Sequence, residues 1–321
     1  MVDFTLMRIK KRLLDGLNWA GSRFSSNSAI LLYHRVASKD RDQFGLCVTP
    51  LNFEQQIASI AEIGHALPLG ELISQRRNGL LKAKSIAVTF DDGYLDVLQN
   101  AVPILERHGV PATIFIVTGN LGKPFWWDRL TDLIVHSPNL PESVRLGMEA
   151  IPTAGRSRAQ LLKKIYPSVR ALPPGRRDAR LDELGQVIGH TAGLEAERAM
   201  DVSELRSLAQ HPLITLGAHT MTHSQLASLS VSEQEEEIAS SVRELEGVID
   251  RPVDTFSYPF GIRSRDYNSD TMGAVRKAGL DHALAADLNV VTKKTDDFSI
   301  PRLWVHDVDG PKFSKNLRRW L

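Results

Sequence analysis

The chain has 321 residues, with 39 basic against 38 acidic side chains, and this near-balance leaves no global electrostatic case for binding nucleic acid. Apolar residues at 42% amid mixed charges describe a folded globular protein rather than a disordered one. The single cysteine, Cys47, excludes an intrachain disulfide and fits a reducing compartment.

No run of about 18 apolar residues marks a membrane span. The opening stretch "MVDFTLMRIKKRLLDGLNWAGSRF" lacks the apolar block and small-residue site of a secretory leader, so a cytoplasmic location is expected. Within residues 1–28, Phe4, Met7, Leu13, Leu14 and Leu17 fall roughly on one helical face, with Arg8, Lys10, Lys11 and Arg12 largely elsewhere. Such a basic amphipathic helix either docks on its own domain or makes peripheral contact with an anionic membrane, here the inner face.

"AILLYHRV" at 29–36 reads as a strand. "TPLNFEQQIASIAEIG" reads as a helix with Thr49 as N-cap, Pro50 in its first turn and Gly64 as its stop. "HALPLGELI" gives a short strand and turn, and "SIAVTF" a buried strand. Leu95, Leu98, Val102 and Leu105 space a helix from Tyr94 to His108, and "PATIFIV" is the next strand. Alternating strands and helices predict an α/β fold with a parallel sheet, open or closed into a barrel. Sites in such folds gather at the carboxyl ends of the strands.

From about 123 to 210 the rhythm breaks into a mostly helical insertion. It then resumes with the strand "LITLGAHT" and the helix "SVSEQEEEIASSVRELEGVI". That helix is capped at Ser230 or Ser232 and carries Ile238, Val242, Leu245 and Ile249 as its buried stripe. "DTFSYPFG", "DHALAA" and "SIPRLWV" supply further strands, with the helix "SDTMGAVRKAG" among them. Residues 29–321 thus read as one domain.

Two carboxylates, Asp91 and Asp92, follow the strand "SIAVTF" directly, and bare carboxylates beside a core cost several kcal/mol unless compensated. "GAHTMTH" places His219 and His223 four apart at another strand end. Alone, that spacing fits capping or surface histidines as well as metal ligands. With "TFDD" it makes a three-ligand site with an open position, the build of hydrolytic zinc centres. One aspartate then binds a cation and the other serves as base.

"TFDDGY", "HTMTH" and "TFSYPFG" together resemble the ordered motifs of the polysaccharide deacetylases, the NodB-homology carbohydrate esterases. The "YH" strand near the N-terminus is similar to that of the biofilm poly-N-acetylglucosamine deacetylases. The resemblance implies a distorted (β/α) barrel that removes acetyl groups from an N-acetylated polysaccharide or a lipid-linked glycan precursor. It implies Asp91 as general base and Asp92, His219 and His223 as ligands of a divalent metal, usually zinc, with cobalt or nickel as alternatives. The backbone N–H of Phe260 would bind the oxyanion. His34 is the favoured acid for the leaving amine, and His306 in "RLWVHDVDG" its rival. Many relatives carry an arginine where this chain has Ser257, and Arg302 is the candidate to replace its charge.

Trp126, Trp127, Tyr94, Phe260 and Trp304 could offer flat faces to sugar rings. Competing readings are a related barrel hydrolase cleaving a non-sugar amide or ureide, and an inactive binding protein suggested by the Ser257 gap. Nothing in the sequence speaks to oligomeric state.

Overall fold

The computed structural model describes residues 28–38, 42–146, 149–190, 194 and 197–321. The basic amphipathic segment expected at 1–28 lies, apart from Ser28, outside the described residues. Eight strands form one sheet. They are β1 (Ala29–Tyr33), β2 (His65–Ala66), β3 (Ser85–Phe90), β4 (Ala112–Ile116), β5 (Ile214–Ala218), β6 (Thr255–Ser257), β7 (His282–Leu284) and β8 (Leu303–Trp304). All pair in parallel, in the order β7-β6-β5-β4-β3-β1-β8, with β2 on the start of β3. β1, β3 and β4 are buried at every position, the pattern of strands covered on both faces. Ile300 bridges Leu284 of β7 while Leu303 pairs with Leu31 of β1, so the segment 300–304 links the sheet's two edges. The sheet therefore curls into a distorted barrel.

The helices are α1 (Pro50–Ile63), α2 (Leu69–Arg77), α3 (Val102–His108), α4 (Trp126–Thr131), α5 (Arg158–Arg170), α6 (Pro174–Ile188), α7 (Val202–Leu208), α8 (Val231–Ile249), α9 (Ser269–Lys277) and α10 (Gly310–Trp320). Thr49 precedes α1, but its hydroxyl donates to Asp307 at 3.0 Å instead of capping the helix. Ser230, not Ser232, caps α8, in a reciprocal box with Glu233.

The structure departs from the sequence reading in three places. The stretch read as a turn after β2 begins α2, which buries Leu69, Leu72, Ile73 and Arg76; its two turns carry too few apolar residues to announce a helix. The helix expected over 94–108 is split, with a π-helical stretch at Val97–Ala101 ahead of α3. Pro103 has no N–H to return to the preceding turn, which widens there. The insertion contains an antiparallel hairpin, Ser143–Leu146 with Glu149–Pro152, besides its helices. The chain ends in α10, whose Phe313 and Leu317 are buried while Lys312, Lys315, Arg318 and Arg319 stay exposed. Among the described residues, no helix is long and apolar enough to cross a membrane.

Candidate active site

The sheet ladder runs one residue beyond two strands: Asp91 N–H donates to Tyr33 O at 3.0 Å, and His219 N–H to Ile116 O at 2.9 Å. These bonds set Asp91 and His219 at the carboxyl edge of the barrel. Of seven non-glycine residues with left-handed backbones among those described, four belong to this edge: Asp92 (φ +75°), Thr220 (+67°), His223 (+53°) and Phe260 (+61°). Each such conformation costs of order 1 kcal/mol, so concentrating them here marks a geometry held in place by its surroundings.

Several contacts hold the loop that carries His223. Thr222 donates from its N–H and hydroxyl to Glu237 of α8 at 3.0 and 2.7 Å, and Arg177 of α6 donates to Thr222 O at 2.9 Å. Gly119 N–H donates to Met221 O at 2.8 Å, and a side chain at 119 would bring a Cβ to 2.6 Å of that oxygen. Only glycine allows so close an approach.

Asp92 Oδ1 lies 3.6 Å from His219 Nε2 and 3.4 Å from His223 Nε2. All three residues are buried, and one ligand atom from each lies within 4.8 Å of the others. His219 Nδ1 is 2.7 Å from the Ser257 carbonyl. A carbonyl only accepts, so Nδ1 carries the proton and Nε2 turns its lone pair toward Asp92. Burial lowers the pKa of both imidazoles, which are therefore neutral, and raises that of Asp92, with Asp91 and Asp128 adding to the rise.

These residues fit a divalent cation. Asp92 Oδ1 finds no hydrogen-bond partner among the described residues, and a buried carboxylate between two neutral rings lacks compensating charge. Ligands about 2.0–2.2 Å from one ion stand roughly 3.3–3.5 Å apart in tetrahedral geometry, close to the spacing seen.

Beside this set, Arg302 grips Asp91 through two bonds, Nη1 to Oδ1 and Nη2 to Oδ2, both 2.7 Å. Arg302 is fully buried, and its Nε donates to Ala285 O at 3.0 Å. Ser257 donates its hydroxyl to Asp91 Oδ2 at 3.2 Å and accepts from Arg302 Nη2 at 2.7 Å. The positive charge facing Asp91 thus comes from Arg302, with the Ser257 hydroxyl bridging the two. Burial would raise the Asp91 carboxyl, but Arg302 and His219 outweigh it and bring it to about 2.

His34 lines the same pocket, its ring 5.0 Å from that of Trp304. Burial lowers it to about 4, against the pull of Asp91 in the other direction. His306 is exposed, stacks at 6.0 Å on Trp304 and is not among the pocket's lining residues. Phe260 lines the pocket with its ring 4.6 Å from His223.

Of the five aromatics singled out, Trp127, Phe260 and Trp304 line the pocket. Trp126 stacks on Tyr166 instead, and Tyr94 is spent within the core, donating to Asp128 at 2.6 Å and accepting from Trp127 Nε1 at 2.7 Å. Phe44, Leu46, Tyr166, Ile262 and Arg265 also line the pocket and carry no sequence signal.

A family model described as polysaccharide deacetylase matches residues 78–170 and 178–283, more than half of the chain. The poly-beta-1,6-N-acetyl-D-glucosamine N-deacetylase of Staphylococcus aureus is 22% identical over 313 residues, covering 93% of this chain and 84% of that protein. Among solved structures, IcaB from Ammonifex degensii superposes with a TM-score of 0.60 at 17% identity, covering 92% of this chain and 98% of its own. The Streptococcus pyogenes deacetylase PplD, solved with acetate, gives 0.57 at 18% identity, covering 91% and 98%. Motifs, barrel and family match agree, and the chain belongs to the polysaccharide deacetylase family.

Proposed function

We propose that this enzyme is a metal-dependent hydrolase that removes N-acetyl groups from an N-acetylated glycan, with the ion held by Asp92, His219 and His223. The observation that carries the reading is the meeting of that buried ligand set with a second carboxylate, Asp91, 3.8 Å from His219 Nε2. When bound, a divalent ion, with zinc favoured and cobalt or nickel as alternatives, supplies Lewis-acid activation of water and of the acetamide carbonyl.

The chain's own residues do the rest. Asp91 accepts the proton of the attacking water. Arg302 keeps that carboxylate ionised and aimed, at some expense of basicity, since a group titrating near 2 accepts protons weakly. The backbone N–H of Phe260 donates to the developing oxyanion. His34 hands a proton to the leaving amine. Its ring is neutral at pH 7 because it titrates near 4, so it takes up the water proton that Asp91 gives back only as negative charge builds on the adduct beside it, and passes it to the nitrogen as the C–N bond breaks.

Acetate release from oligomers of N-acetylglucosamine, measured across several acetylated glycans together with the metal content of the same preparation, tests this directly. Metal-replete protein that frees no acetate from any N-acetylated sugar overturns it.

We further infer that the substrate is a cytoplasmic or lipid-linked precursor met at the inner membrane face. The exposed Lys312, Lys315, Arg318 and Arg319 of α10 support the idea, and flotation with anionic liposomes at low salt tests it. Absence of flotation removes the membrane contact.

A further inference from the structure

The insertion does more than flank the barrel. Arg170, the last residue of α5, is buried and reaches from the insertion to the loop after β6. There it pairs with the fully buried Asp266 and lays its guanidinium over the Phe260 ring, 3.6 Å from the centroid. Its Nε finds no hydrogen-bond acceptor among the described residues, a cost consistent with a face given over to the ring.

Asp266 in turn shapes that loop, accepting from Ile262 N–H at 3.1 Å, while its own carbonyl accepts from Ala227 N–H at 2.9 Å. Just ahead of Ile262 the backbone is left-handed, with Phe260 at φ +61° and Gly261 at +65°, where a Cβ would fall 2.4 Å from Ala286 N. Phenylalanine does not rest at φ +61° without support. The ring meets both His223 and Arg170.

We propose that Arg170 is a positioning residue for catalysis: clamped by Asp266, it holds Phe260 in its left-handed conformation and thereby aims the Phe260 N–H at the acyl oxygen in the transition state. This rests on the oxyanion role proposed above for that N–H. Arg170 is not among the residues that line the pocket and acts through Phe260. A lysine keeps the charge for Asp266 but not the planar face over the ring.

The test compares Arg170→Lys and the paired Arg170→Met/Asp266→Asn, which leaves no lone buried charge, with wild type and Asp91→Asn. Because losing one oxyanion donor costs about 10²–10³ in kcat, a misaimed one should cost about 10–100-fold. The expected result is that loss in kcat for both variants, with KM and bound metal changed less than about twofold. Affinity for a phosphonamidate analogue of the tetrahedral adduct should fall in step with kcat/KM. Arg170→Lys with wild-type kcat, or variants whose analogue affinity is unchanged while kcat falls, overturns the positioning role. Asp91→Asn separates the two claims: if it stays active, the catalytic reading itself fails, whatever Arg170 does.

Discussion

Arg302 and Asp91 stand 211 positions apart and meet through two 2.7 Å bonds at the carboxyl edge of the barrel. The guanidinium offsets a burial that would otherwise push the carboxyl up. Arg302→Met should therefore raise the pKa of Asp91, and the acid limb of kcat/KM should move to higher pH. The loss should be greater at pH 5 than at pH 8, because the base is protonated in the more acidic solution. A pH profile that superimposes on wild type, merely scaled, would show that Arg302 does not set the ionisation of Asp91.

Ser257 lies between the same two groups, within hydrogen-bond reach of both. Ser257 on β6 and Arg302, just ahead of β8, reach the same carboxylate, so the charge should be movable between the two positions. Ser257→Arg combined with Arg302→Ser should recover at least about tenfold of the activity lost in Arg302→Ser alone, since a bidentate pair to a carboxylate depends on fork geometry. If the pair of changes is no better than the single one, the two positions are not equivalent supports for Asp91.

How much of this was written in the sequence depends on range. Asp91, Asp92, His219 and His223 sit one to five residues past strands whose apolar runs are plain, so the barrel edge and the candidate ligand set were both legible. Arg302 was legible only as the filler of a gap at Ser257. Arg170 and Arg177 were not legible at all: they lie on insertion helices with no motif, and their partners Asp266 and Thr222 are 96 and 45 residues away. The hairpin at 143–152 escaped for a related reason, since among its described residues only Val144 and Ile151 are fully buried and its alternation is correspondingly faint.

Asp91 and Asp92 are neighbours with opposite electrostatic situations, and asparagine should separate them. Asp91→Asn should keep its metal and lose turnover by about 10²–10⁴-fold, the worth of a general base. Asp92→Asn should lose metal. Without metal it should nonetheless melt higher than metal-free wild type, because a neutral amide replaces a buried carboxylate crowded by Asp91 and Asp128. The gain should be ~1–2 kcal/mol, roughly 2–6 °C. Chelator-treated samples in a thermal melt, with and without added zinc, check both halves. A metal-free Asp92→Asn that melts lower than metal-free wild type would contradict the account of Asp92 as an uncompensated charge.

His34 presents a sharper test because its role depends on the leaving group. The ring is neutral at pH 7, held near 4 by burial, yet an amine cannot depart from a tetrahedral adduct without a proton. An activated aryl ester needs no such help, since its phenolate leaves unprotonated. His34→Gln should accordingly lower acetamide hydrolysis by about 10²-fold or more while leaving hydrolysis of an aryl acetate within about threefold of wild type. His306→Gln, exposed and outside the pocket, should change neither. Equal losses on amide and ester in His34→Gln would mean that the ring supports the site's shape and moves no proton. A selective loss of amide hydrolysis in His306→Gln would transfer the acid to the other end of the chain.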